Sequence, residues 1–311
     1  MRATNYLYAL SLLGVAGCAS DRTIGVFQTG DAGADQAVAQ GDGAVLELDG
    51  EASVVPREPE IYASTRTSLF RFDSAKNVLT KVGDFDCLAG RTKSSSDAGA
   101  SDIAVGSDGS IFAVAKVDGK TEYQEFVILS VDKTTAKCQD VLTIPRTTVD
   151  PLGALAIFGL SFVRAGSSDG LYALDITGAY LRVDLAAKTV AVAGYLNGAP
   201  TGIWKTKGAD VVSIAGDRTY STATKDGDLT ESLVAIDPQL GEVKDTVGLL
   251  GGKNFGGLGY WGGKLYGFAT DGRIYAIDTK TAQTTELPVA IPSGTEFTGA
   301  GVTPLAPVDV K

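Results

Sequence analysis

The sequence predicts an all-β domain built as a β-propeller of five four-stranded blades, and three observations predict it. From Glu60 onward, short β-branched and aromatic runs are broken by Gly, Asp and Asn, with no long stretch of helical periodicity. An apolar strand ending in Asp and followed by a polar turn recurs five times. The segment Phe297–Thr303 reads as an innermost strand that has no blade of its own.

The recurring phrase appears as Leu69–Asp73, Val127–Asp132, Tyr180–Asp184, Leu233–Asp237 and Ile274–Asp278. Its aspartates are spaced by 59, 52, 53 and 41 residues, which suits blades of roughly 40–50 residues with variable loops. A second phrase lies upstream, a strand opening just after Asp-Gly or Gly-Gly, as in Asp108–Val114, Asp169–Leu174 and Gly262–Phe268. Those dipeptides supply the positive φ angles of tight hairpins. Glycine-studded strands such as Phe158–Phe162 and Gly256–Trp261 precede them, as strands crowded about an axis require. The first blade begins at its second strand, Ile61–Thr65, so Phe297–Thr303 placed beside it would join the two ends. The count becomes six if the stretch between Thr206 and Glu231 hides extra strands.

Ile103–Phe112 resembles the repeats of NHL and gluconolactonase-type propellers, and Asp271–Asp278 is similar to quinoprotein-like repeats. Both resemblances cover single blades. They imply the fold and carry no activity.

The domain from residue 59 to 311 follows two other segments. Residues 1–17 have the parts of an export signal: Arg2, then an apolar run from Tyr6 to Ala16 too short to span a bilayer, then small residues. The ending Val15-Ala16-Gly17-Cys18 resembles the lipobox of bacterial lipoproteins, which implies cleavage before Cys18 and its acylation. The alternative is an ordinary cleaved signal with an incidental cysteine. Ala19 and Ser20 are not the aspartate that often retains lipoproteins at the inner membrane, so the resemblance implies outer-membrane placement in an organism that has one. Each buried methylene of such an anchor contributes about 0.8 kcal/mol. Residues 18–58 are small, acidic and nearly free of aromatics, which predicts a flexible tether with a span of about 35 Å.

Composition removes several chemistries. The 311 residues carry a net charge of −10, which makes nucleic acid and anionic lipid poor partners. Histidine is absent, which excludes Ser-His-Asp and Cys-His catalysis and imidazole-ligated metals. With Cys18 lipidated, Cys87 and Cys138 remain, and an exported chain favours a disulfide between them. A free reactive thiol is the alternative. No cofactor is expected.

Candidate sites each have a structural alternative. The five repeated aspartates read as turn residues whose side chains accept from the following N–H groups. Asp226, Asp228 and Glu231 alternate as calcium ligands can, but depart from the EF-hand spacing and also suit a solvated hairpin tip. Trp204 and Trp261, with Tyr260 beside the second, fall in expected inner strands, where they would stack on a sugar or flat ligand or pack between blades. Asp102 and Asp210 are the best material for paired-carboxylate hydrolysis. Some five-bladed propellers are glycosidases, whose motifs generally include a histidine-containing signature that this chain lacks. The resulting expectation is a membrane-anchored, non-enzymatic binding module in the cell envelope, with an unknown protein or glycan ligand. The alternatives are a carboxylate-based glycan hydrolase or lactonase, and a structural envelope lipoprotein.

Overall fold

The computed structural model describes residues 60–93, 98–118, 124–145, 156–206, 208, 210–214, 216 and 218–308. The leader, Cys18 and the acidic segment through residue 58 lie outside these residues.

The domain is a five-bladed β-propeller, each blade an antiparallel sheet. The first blade holds β1 (Ile61–Ser64), β2 (Ser68–Asp73) and β3 (Val78–Asp84). The second holds β4 (Gly99–Val105), β5 (Ile111–Asp118), β6 (Gln124–Val131) and β7 (Cys138–Ile144). The third holds β8 (Ile157–Ala165), β9 (Ser168–Asp175), β10 (Ala179–Asp184) and β11 (Thr189–Tyr195). A two-residue strand, β12 (Trp204–Lys205), precedes the fourth blade of β13 (Val211–Ile214), β14 (Arg218–Lys225), β15 (Ser232–Ile236) and β16 (Val243–Leu249). The fifth holds β17 (Phe255–Trp261), β18 (Lys264–Ala269), β19 (Ile274–Ile277) and β20 (Thr284–Glu286). The stretch between Thr206 and Glu231 thus supplies the two inner strands of blade four, and no sixth blade.

The last strand, β21 (Gly299–Gly301), pairs antiparallel with β1 through Ser64↔Gly299, Ala63↔Ala300 and Tyr62↔Gly301. The chain therefore closes the ring by completing its first blade, with β21 covering the inner edge of β1.

The five repeated aspartates make one turn, used five times. In each, one carboxylate oxygen accepts the N–H groups two and three residues later, at 2.8–3.1 Å. Four residues past each aspartate the backbone is left-handed: Asn77, Ala136, Lys188, Gly241 and Ala282 have φ of 54–68°. Ala136 and Ala282 are buried there because these turns dock on the preceding blade. They lie under Gly83 of β3 and Gly248 of β16, where an added Cβ would approach the alanine Cβ within 3.2 Å. Gly194 of β11 meets the Leu240 carbonyl of the blade-four turn in the same way.

The core lies in the seams between blades. Between the first and last blades, Phe72 meets Phe268 edge-on at 5.7 Å and Tyr266 at 5.5 Å. Where the first blade passes into the second, Cys87, in a short 3-10 turn (Asp86–Leu88), is bonded to Cys138 at the start of β7. Asp86 accepts the Cys138 N–H at 2.9 Å, and Arg91 grips Asp140 through two bonds of 2.7 and 3.0 Å. This crossover is fixed covalently and by charge-assisted pairing.

Candidate functional site at the propeller axis

The inner strands β4, β8, β13, β17 and β21 run side by side around the axis. Their innermost edges have no sheet neighbour, so their N–H groups need another acceptor. Five equivalent positions face one another near the strand starts: Asp102, Gly159, Asp210, Gly257 and Gly299. The next residue of each strand turns its N–H toward the axis. Asp102 accepts from Ile103 at 2.7 Å, from Leu160 at 2.5 Å and from Ala300 at 3.1 Å. Asp210 accepts from Val211 and Leu258, both at 2.5 Å. Two side chains therefore serve the inner strands of all five blades.

The glycines make room for them. A Cβ on Gly299 would lie 2.3 Å from an Asp102 oxygen, and one on Gly257 would lie 2.3 Å from the Ala300 nitrogen. Two carboxyl groups occupy the axis, on non-adjacent blades, and a side chain at Gly257 or Gly299 does not fit beside them.

Both aspartates are fully buried and hydrogen-bond each other. Burial pushes both carboxyls up, the charge of Asp210 adding to the effect on Asp102. Asp210 is pushed up to about 8 by burial, opposed by the bonds from Asp102 and from the N–H groups of Leu258, Val211 and Ala300. Hydrogen bonding also limits the proton count. The converging N–H groups are all donors, so an O–H finds an acceptor only on the other carboxyl, and one shared proton satisfies the pair.

This is not a hydrolytic pair. Carboxylates that flank a glycosidic bond stand roughly 5–9.5 Å apart with substrate between them, whereas these touch, are buried, and spend their lone pairs on backbone.

Above the pair opens a recess of about 200 Å³. It is lined by Arg66 and Thr298 near the first blade, Ser101 and Lys116 of the second, Phe158 of the third, Gly208 before β13, and Gly256 and Thr270 of the fifth. Ser101, Phe158 and Gly256 are the residues skipped where the inner strands bulge against their partners. A bulge at a rim turns a side chain out of the ladder, and here it forms the mouth. The cations Arg66 and Lys116 share it with Glu296, at a concave spot on a chain whose net charge is −10.

The sequence-derived aromatic candidates do not meet. Trp261 and Tyr260 end β17 on the face opposite the mouth, where Trp261 borders a separate recess with Glu60, Asp108 and Thr303. Trp204 lies on the inner edge of blade four, as expected, but in the short strand β12, which pairs with the mouth end of β14 ahead of β13 on the same edge. The Asn197 side chain holds its backbone by two bonds, and Lys225 lies 4.9 Å above its ring. All three rings are buried in inter-blade seams. The acidic trio also diverges. Asp226 pairs with Lys205 at 2.6 Å, Asp228 is exposed, and Glu231 turns inward to accept the Phe255 N–H at 3.1 Å. No cluster suited to a metal ion occurs among the described residues.

The axial ring itself was not singled out from sequence as a set. Its signal is a Gly or Asp before an apolar residue in each inner strand: Asp102-Ile103, Gly159-Leu160, Asp210-Val211, Gly257-Leu258 and Gly299-Ala300.

No protein-family profile matches the chain. A search of curated proteins likewise finds no match. Similar solved structures include a protein of unknown function from Bacteroides thetaiotaomicron, at 14% identity and a TM-score of 0.46, covering 73% of this chain and 56% of that one. An exo-β-1,3-galactanase from Phanerochaete chrysosporium is similar at 11% identity and a TM-score of 0.47, covering 75% and 62%. BamB from Moraxella catarrhalis is similar at 15% identity and a TM-score of 0.34, covering 72% and 56%. The chain thus spans less than two thirds of the length of these structures. Likeness at this level carries no functional conclusion.

Proposed function

We propose that this chain is an envelope protein tethered through Cys18, whose propeller binds a small carboxylate-bearing end group at the axial mouth without catalysing its conversion. One observation carries the proposal: all five blades converge on a recess that holds two cations above a closed axis. At about 200 Å³ it is smaller than the roughly 300–1,000 Å³ of pockets that enclose whole drug-sized ligands. It fits one terminal unit of a larger molecule, with the cations meeting the anionic group and Phe158 its apolar body. The carboxyl pair beneath is out of reach, which supports binding over hydrolysis.

Isothermal calorimetry against small uronic acids and N-acylated amino acids, each beside its methyl ester, tests this. The free acids bind, the esters bind far more weakly, and Lys116→Ala weakens the acids several-fold without changing the melting temperature. Equal binding of acid and ester defeats the proposal. The anchor has its own test: Cys18→Ala moves the protein out of the membrane fraction, and an unchanged fraction rules the tether out.

A further inference from the structure

We infer that Asp102 and Asp210 form a one-proton lock: a single shared proton lets two carboxyl groups close the ring of five inner strands, and its loss at alkaline pH loosens that ring. The geometry requires the proton. Both side chains are buried and in direct hydrogen bond, and between them they accept N–H groups from Ile103, Leu160, Val211, Leu258 and Ala300. Two bare carboxylates in contact would repel one another in a site that water does not reach. With the proton between them, the same atoms bind each other and all five strands.

The surroundings offer no neutralising charge. Of the strands that pack on the pair, β4, β13 and β21 carry no other titratable side chain. Strand β8 carries Arg164, three residues beyond Ser161 and paired with Asp169 at 3.4 Å. Strands β17 and β1 carry Tyr260 and Tyr62, which are uncharged at neutral pH. Arg66, Lys116 and Glu296 line the mouth above. None of these appears among the causes of the raised carboxyl values, where burial comes first for both aspartates.

The direction of the pH effect follows. Asp102, raised well above 3.8 on folding by burial and by the charge of Asp210, holds the proton in the native state where the unfolded chain has lost it. Its contribution is fully present below the unfolded value and fades as pH rises through the folded one. Above the folded value of Asp102, opening of the ring grows about tenfold per pH unit.

Infrared spectra and amide hydrogen exchange of the full-length protein test the lock. At pH 7 the folded wild type shows a protonated carboxylic acid band that disappears as pH is raised through the alkaline range. Protection factors of the Leu160, Leu258 and Ala300 amides fall by at least tenfold over the same range. In Asp210→Asn an amide donates to Asp102 with no proton to lose, so the band is absent and the fall in protection is flattened. If that variant does not fold, the wild-type spectrum decides. Absence of the band at pH 7, or alkaline loss of protection no greater at these three amides than at those of the outer strands, overturns the inference.

Discussion

Replacing Gly299 by alanine probes the axial ring with one methyl group. Its Cβ would lie 2.3 Å from an Asp102 oxygen, 2.5 Å from the Asp102 Cα and 2.9 Å from the Ser64 hydroxyl. Two of these neighbours cannot yield cheaply. One is backbone, and the other is a carboxyl already bonded to three strands. Overpacking of this kind costs about 1–3 kcal/mol. Displacing Asp102 from the Ala300 N–H, 3.1 Å away, adds about 1.5–3 kcal/mol for a bond to a charged group. The sum is about 2.5–6 kcal/mol, a large part of the roughly 5–15 kcal/mol that holds a domain folded. At about 2–4 °C per kcal/mol for a domain of this size, the melting temperature falls by at least about 5 °C. Urea denaturation gives the free energy, and calorimetry the midpoint. A loss below about 1 kcal/mol with an unchanged denaturant slope would show that the ring is not packed as described.

Two further outcomes follow from other parts of the fold. Removing the disulfide with Cys87→Ser and Cys138→Ser frees a loop closed across 51 residues. Loop-closure entropy puts the cost at about 4 kcal/mol, read by denaturation with and without reductant; equal stability in both would contradict it. On the acid side, Asp73, Asp84, Asp108, Asp132 and Asp278 are held below the usual carboxylate value, by hydrogen bonds from Lys76, Lys81, Ser110, Thr134 and the Lys280 N–H respectively. Depressed values stabilise above the unfolded value and lose that contribution as pH falls through the folded ones. A melting series against pH should therefore decline below about pH 4 from the turns and again toward alkaline pH from the axial pair. A curve flat at both ends would refute both assignments.

Much of the fold was legible because its signals are local. An aspartate that accepts from the next two available N–H groups needs no distant partner, so Asp73, Asp132, Asp184, Asp237 and Asp278 mark the blades in sequence. The closing strand was legible because its partner blade lacked an inner strand. The left-handed alanines were not. Ala136 and Ala282 tolerate positive φ because the neighbouring blade presents a glycine to them, a contact fixed only by assembly. Blade four was only partly legible for the same reason: its inner edge is shared by β12 and β13, and only pairing shows that β13 is the part that reaches the axis. Asp102 and Asp210 were picked out as a pair, but as material for hydrolysis. Their role was hidden, since it depends on the register of five strands drawn from residues 99–301. Read as a pair alone, two carboxylates suggest hydrolysis; read with Gly159, Gly257 and Gly299, they are what closes the axis.

The central claim is that the chain binds at the axial mouth. It is tested most directly by mapping backbone amide shifts of the protein as a small uronic acid is added. The account predicts saturable shifts concentrated at Ser101, Phe158, Gly256 and Thr298, the rim residues around Arg66 and Lys116. Shifts concentrated instead at Ser107, Asp108 and Trp261 on the opposite face, or none at any concentration of the acid, would contradict it.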